Sequence, residues 1–225
     1  MSMIRIKYLL PVLAISSILL FTGCGHLSFG NVAIKHNKEC IYILDEAQLT
    51  SLEISGGPDV VVDTTIAKNR VRVIANTEDF SKLVVKAENG KLVISHKRNI
   101  GNKEYKVFVP AFDYNALAVA GGCDLEWNCC NVNHLAVTVS GGADCEIKGK
   151  CDNLAVNVSG GADADMDELV AGNVSVVASG GADVELCAVQ TISVAASGGS
   201  DINIAGTPQI SGWQVSGGAD VHINK

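Results

Sequence analysis

The chain has 225 residues and a formal charge of −7, enough length for one or two small domains with a real core. Aromatic residues make up 5% and Trp occurs twice, which argues against a bulky aromatic core and for thin, regularly stacked β-structure. The acidic balance disfavours nucleic acid and anionic lipid as partners and leans weakly towards cation binding.

Arg5 and Lys7 precede an apolar run from Tyr8 to Phe21, which ends in Phe21-Thr22-Gly23-Cys24. A basic start, a short apolar stretch and a small residue before the cut read as a secretory signal over residues 1–23. The run is short for a membrane span, which needs about 20 residues. Cys24 directly after small residues resembles a bacterial lipobox. That resemblance implies a diacylated Cys24 as the mature N-terminus and a stable lipid anchor in the membrane. The rival reading is a plain signal with an incidental cysteine. Residue 25 is Gly rather than Asp, and no acidic cluster comes after it. By the same resemblance, the expected place is the outer membrane, facing the periplasm, with surface exposure as the alternative. Residues 24–40 are polar and irregular and read as a tether.

Residues 41–114 read as an N-terminal β-section. Strand-like runs are Ile41–Leu44, Leu52–Ile54, Val60–Val62, Val71–Ile74, Leu83–Lys86, Lys91–Ser95 and Tyr105–Val109. Asn89-Gly90 predicts a tight hairpin turn. Ser55-Gly56-Gly57-Pro58-Asp59 is an isolated copy of a corner that recurs later. Either intervening coils have diverged, or two long hairpins are inserted. The section is expected to cap one end of the C-terminal repeat, whose open edge would otherwise aggregate.

From residue 115 to 225 the sequence repeats. The corners are Ala120-Gly121-Gly122-Cys123-Asp124 and Ser140-Gly141-Gly142-Ala143-Asp144, then Ser159–Asp163, Ser179–Asp183, Ser197–Asp201 and Ser216–Asp220, at steps of 20, 19, 20, 18 and 19 residues. A fixed period near 20 marks a solenoid. On both sides of each Gly-Gly, apolar and polar residues alternate, as in Leu135, Val137, Val139 and Cys145, Ile147. Period two means strands with one buried face. Each unit is therefore strand, corner, strand and a looser return near Lys148–Asn153 or Ala205–Gln209. A parallel coil stacks identical residues in register and is favoured over a meander of hairpins. Residues 41–225 are expected to form one continuous all-β domain.

The coil would stack Asp124, Asp144, Asp163, Asp183, Asp201 and Asp220 in one column. Neighbouring charges about 4.8 Å apart repel by roughly 1 kcal/mol in water and 3–4 kcal/mol at an effective dielectric near 20. The leading expectation is a structural ladder held by backbone N–H groups of the adjacent Gly-Gly corners. Bound calcium and plain exposure to solvent are the alternatives. The Ser column is likewise expected to form a hydrogen-bonded ladder.

No unique catalytic set stands out. His26, His36, His96, His134 and His222 are scattered and match no metal-ligand spacing. A triad on His134 or His222 is a minor alternative. Asp163, Asp165 and Asp167 alternate along one strand, where a carbohydrate-active enzyme would place carboxylates, but a solvated outer face explains them more simply. If Cys24 is lipidated, seven cysteines remain. Cys145 reads as a core residue, and Cys187 has no placement. Cys130 and Cys151 are candidates for a disulfide between adjacent coils, with Cys129 competing. A metal site on these three is a minor alternative. No cofactor is otherwise implied.

The lipobox-like Cys24, Leu52-Glu53-Ile54-Ser55-Gly56-Gly57-Pro58-Asp59 and the repeated Ser-Gly-Gly-Ala-Asp corners resemble the putative auto-transporter adhesin head (GIN) domain family, over about residues 45–225. The resemblance implies a right-handed parallel β-helix with an N-terminal β-section. The expected function is a non-catalytic, lipid-anchored envelope module that presents a flat acidic Ser/Thr/Asp face to a glycan or another envelope protein. A carbohydrate-active enzyme and a calcium-stabilised structural solenoid are the alternatives. Exposed solenoid ends would also allow a homo-oligomer.

Overall fold

Period-two alternation becomes strand wherever the computed structural model describes the chain, which is over residues 32–36, 38–46, 48–97 and 104–224. The signal, Cys24 and the first part of the tether lie outside the described residues. The described residues are all β and contain no helix.

Strands β1 (Val32–His36) and β2 (Glu39–Ile43) form an antiparallel hairpin. The expected tether therefore ends earlier than residue 40, because its last residues pair with β2. Next come β3 (Ser51–Ser55), β4 (Asp59–Asp63), β5 (Arg70–Ala75), β6 (Leu83–Glu88), β7 (Lys91–His96) and β8 (Tyr105–Pro110). Asn89 and Gly90 both take positive φ, 53° and 74°, and Glu88 faces Lys91, so the β6–β7 turn is the tight hairpin the Asn-Gly pair predicts.

The repeat begins at β9 (Ala116–Ala120) and continues through β10 (Asp124–Gly141), β11 (Asp144–Gly160), β12 (Asp163–Gly180) and β13 (Asp183–Gly198) to β14 (Asp201–Ala205), β15 (Gln209–Val215) and β16 (Asp220–Asn224). All its neighbours pair in parallel, in the register that sets Asp124 on Asp144, Asp163, Asp183, Asp201 and Asp220. The chain is thus a parallel β-solenoid. Each rung runs along one wall, turns at Gly-Gly and comes back along a second wall. The return at Ala205–Gln209 is a loop between β14 and β15, as expected, but the one at Lys148–Asn153 is not. Strands β10 to β13 run through their returns without a break, and bulges between Trp127 and Cys130, Glu146 and Gly149, and Met166 and Val170 absorb the spacing differences.

The isolated corner joins this stack. On one wall β3 pairs in parallel with both β7 and β9, while on the other β4 pairs with β8 and β10. The rung β3–β4 therefore lies between the rung β7–β8 and the first repeat, although β7–β8 comes later in the chain. Beyond it, β6 closes one wall antiparallel, and β5, β2 and β1 close the other. The insertion thus supplies one rung and two antiparallel edges.

The core between the walls is narrow. It is built from in-register columns such as Leu135, Leu154, Val174 and Ile192, all buried. At each corner a small buried residue points inward: Cys123, Ala143, Ala162, Ala182 and Ser200 are all fully buried. The larger aromatics collect where cap and repeat meet, with Tyr114 against Trp127 edge-on at 5.9 Å.

Candidate functional site

The two walls carry opposite chemistry. After each corner the outward residues are the Asp column and, two places on, a second column of Glu126, Glu146, Asp165 and Glu185 that ends in Asn203 and His222. Asp59 extends the first column, since Val60 and Val61 pair with Leu125 and Glu126. The sequence alone points to one acidic column, and the structure adds the second. Its signal is the Asp-x-Glu/Asp spacing after each corner.

The Asp ladder is not held as expected. The corner N–H groups are already used by carbonyls of the neighbouring rung: Gly161 donates to Gly141 at 2.9 Å, and Gly181 to Gly160 at 2.7 Å. The Asp backbone N–H groups also donate to carbonyls, Asp144 to Cys123 and Asp163 to Ala143, both at 3.0 Å. The corner thus holds itself by backbone pairing, and the carboxylates stand exposed in solvent. Burial first, and the charge of Asp59 second, push the Asp124 carboxyl above its usual range. Lys148 offsets part of the wall's charge, with Nζ 2.9 Å from Glu146 and 2.7 Å from Glu168.

A shallow groove of about 360 Å³ crosses this wall along Asp59, Asp124, Asp144 and Asp163. Beside it, Asp165, Asp167 and Glu185 bring carboxylate oxygens within 4.8 Å of one another. Asp163 does not belong to that trio. The carboxylate row read from Asp163, Asp165 and Asp167 thus becomes a pair on one rung plus Glu185 of the next. All three are exposed.

The wall before each corner carries no Asp, Glu, Lys or Arg between Ala116 and Ala120, or at 134–140, 153–159, 173–179 and 191–197. Its outward residues are Ser, Thr, Asn, His and Ala, with one Val at 177. Thr191 Oγ1 donates to Asn173 Oδ1 at 2.8 Å, and Asn173 Nδ2 donates to Asn153 Oδ1 at 3.2 Å. This Asn–Asn–Thr chain is a hydrogen-bonded side-chain ladder of the wall, three outward columns before the corner serines expected to form one. It edges a groove of about 460 Å³ that also includes His134, Ser175 and Ser193. The repeat rungs of the wall that carries His134 hold no carboxylate, and His222 lies on the other wall at the last rung. Among the described residues, no triad is assembled at His134.

The cysteines are free thiols at Cys123, Cys129, Cys130, Cys145, Cys151 and Cys187. The bulge after Trp127 sets Cys130 opposite Gly149, and Cys151 opposite Val132, so the expected disulfide partners are offset along the strands. Burial pushes the Cys130 and Cys145 thiols up to about 12, with nearby Cys151 adding to Cys130. Cys145 sits in the core. Cys187 faces Val170 and Ala205 at the return. At the variant corner, Gly57 N–H donates to Cys123 Sγ at 3.0 Å, and the thiol donates to Ala120 O at 3.2 Å.

A family model described as putative auto-transporter adhesin, head GIN domain, matches residues 48–208, and the chain belongs to that family. A putative adhesin of Bacteroides fragilis has a similar structure, with a TM-score of 0.58 and 16% identity over 85% of this chain and 98% of its own. A putative adhesin of Parabacteroides distasonis superposes with a TM-score of 0.50 and 14% identity over 82% of this chain and 96% of its own. At such identities the likeness is one of fold. No curated protein matches the chain.

Proposed function

We propose that this member of the head GIN domain family is a non-catalytic adhesion module of the cell envelope, anchored through Cys24, whose uncharged wall binds an extended neutral ligand, a glycan chain. One observation carries this reading: a protein of charge −7 keeps one whole wall of its repeat free of charged side chains. A glycan offers hydroxyl donors and acceptors without net charge. The wall meets it with amides and hydroxyls repeated every rung, about 4.8 Å apart. The Asn153–Asn173–Thr191 chain holds its donors in fixed directions, which lowers the entropy lost on binding. The adhesin description of the family supports the same reading.

The test is a glycan array with the mature chain, followed by titration of the best ligand. Asn173→Ala should weaken binding at least several-fold, while Asp183→Asn on the other wall should leave it unchanged. Release of reducing sugar by the protein, blocked by Asp163→Asn, would reverse the choice in favour of an enzyme.

The trio of Asp165, Asp167 and Glu185 favours a second reading, in which calcium tightens the acidic wall. Calcium takes six to eight oxygen ligands, so water would complete the set. Calcium should then raise the melting temperature, a chelator should reverse the gain, and Asp167→Asn should abolish it. An unchanged melting curve would remove this reading.

A further inference from the structure

The two ends of the solenoid are finished differently. The N-terminal end finishes in antiparallel strands that carry ion pairs: Lys86 with Glu88 at 2.7 Å on the edge strand β6, and Arg72 with Glu39 at 2.6 Å between β5 and β2. Charged edge strands are how β-proteins prevent edge-to-edge pairing. The other end is open: among the described residues, no strand pairs with the far side of β15 or β16.

The inward side chains of that last rung are uncovered. Ile210 and Val215 take positions that Ile192 and Ala196 fill in the rung below, and Trp213 takes that of Val194. Those three partners are buried, yet Ile210 is 51% exposed, Trp213 43% and Val215 39%. Val221 and Ile223 complete the apolar mouth. The charge is thinnest at this end. From Gly206 to Asn224 the only charged residue is Asp220, and the second acidic column has given way to Asn203 and His222.

We infer that this open end docks on the same end of a second copy of the chain. Two acidic bodies meet with least repulsion where neither carries much charge, and at this end, unlike on the uncharged wall, exposed apolar side chains gather at the same place. A two-fold axis across the end turns the strands of the second copy antiparallel to the first. Each unpaired edge then finds donors and acceptors, and each apolar mouth covers the other. The charged edge strand β6 opposes head-to-tail stacking on the N-terminal end, so the assembly stops at two copies. Trp213 is the anchor, since large aromatics at the centre of a contact carry much of its strength.

The experiment is sedimentation of the mature chain without lipid over a roughly hundredfold dilution series, followed together with Trp213 emission. Trp127 is buried at 2% exposure, so the concentration-dependent signal is that of Trp213. The mass should double at high concentration, with a blue shift and weaker iodide quenching in step. Ile210→Lys should give a monomer with a near-unchanged melting temperature. Val177→Lys, on the uncharged wall, should still give the dimer. If Ile210→Lys does not fold, hydrogen exchange of the wild-type chain decides: amides of β15 and β16 should gain protection as concentration rises. A monomer throughout, a dimer disrupted by Val177→Lys instead, or growth into longer polymers would each overturn the inference.

Discussion

Corner glycines in the same motif should differ sharply in their tolerance of a side chain. Gly181 lies outside the positive-φ region, and a Cβ there would meet only Gly160 O, at an ordinary 3.8 Å. Gly181→Ala should be neutral, or stabilising by up to about 0.4–1 kcal/mol through the unfolded chain. Gly121 has φ +81°, and its nearest Cβ neighbour is Gly56 N at 3.6 Å. Gly121→Ala therefore carries the left-handed penalty alone, about 1–2 kcal/mol, less that same unfolded-state gain. Gly180 has nearly the same φ, +84°, but its Cβ would lie 2.8 Å from Gly160 O and 3.1 Å from Gly160 N. That oxygen cannot retreat freely, because it accepts from Gly181 N–H at 2.7 Å. An overpacking cost of about 1–3 kcal/mol adds to the dihedral cost, for a net loss near 2–4 kcal/mol. Urea unfolding of the three variants measures the series. Equal losses at Gly121 and Gly180 would refute the close-approach argument, and an equal loss at Gly181 would refute the dihedral one.

The raised carboxyl of Asp124 has a definite pH signature. Its folded form holds a proton more tightly than the unfolded form, so stability falls as pH rises from the unfolded carboxyl range through the elevated folded value. Asp124→Asn should stabilise at neutral pH by under about 1 kcal/mol, given the site's exposure, and the gain should vanish near pH 4 in melting curves. Ser200 is fully buried and donates to Ser197 O at 3.2 Å, where Ala182 stands one rung earlier without a hydroxyl. Ser200→Ala should therefore change unfolding free energy by less than about 1 kcal/mol, in either direction. Thiol labelling at mildly alkaline pH should mark exposed Cys129 quickly. Cys130 and Cys145 should react only after denaturation, as peptide mass mapping would show.

The repeat is legible because its chemistry is local: Gly-Gly marks the corner, and alternation names the inward residues on each side. The parallel stack is legible too, since it alone sets like residues on like. The nesting of β3–β4 between β7–β8 and β9 is not, because it depends on pairing across 40 to 65 residues of chain. The hairpin at 32–43 is only half visible, since Lys35, His36 and Glu39 interrupt the apolar pattern. The returns look like loops at Lys148-Gly149-Lys150, yet the neighbouring rungs supply partners that keep them in the sheet. The faces are the larger surprise. The motif suggests a single acidic Ser/Thr/Asp surface, but the pre-corner and post-corner strands lie on different walls, so the serines and the aspartates never share a plane.

The interleaved rung also settles which corner comes first. Six corners so alike in sequence could exchange places by sliding one step along the axis, and most backbone contacts would be recovered after the slide. The rung β3–β4 is seized from both sides by parallel segments distant from it in sequence, β7–β8 on one side and β9 with β10 on the other. That grip has no equivalent further along the described chain, so it pins the numbering of the coil, and the chain can be threaded in one way only.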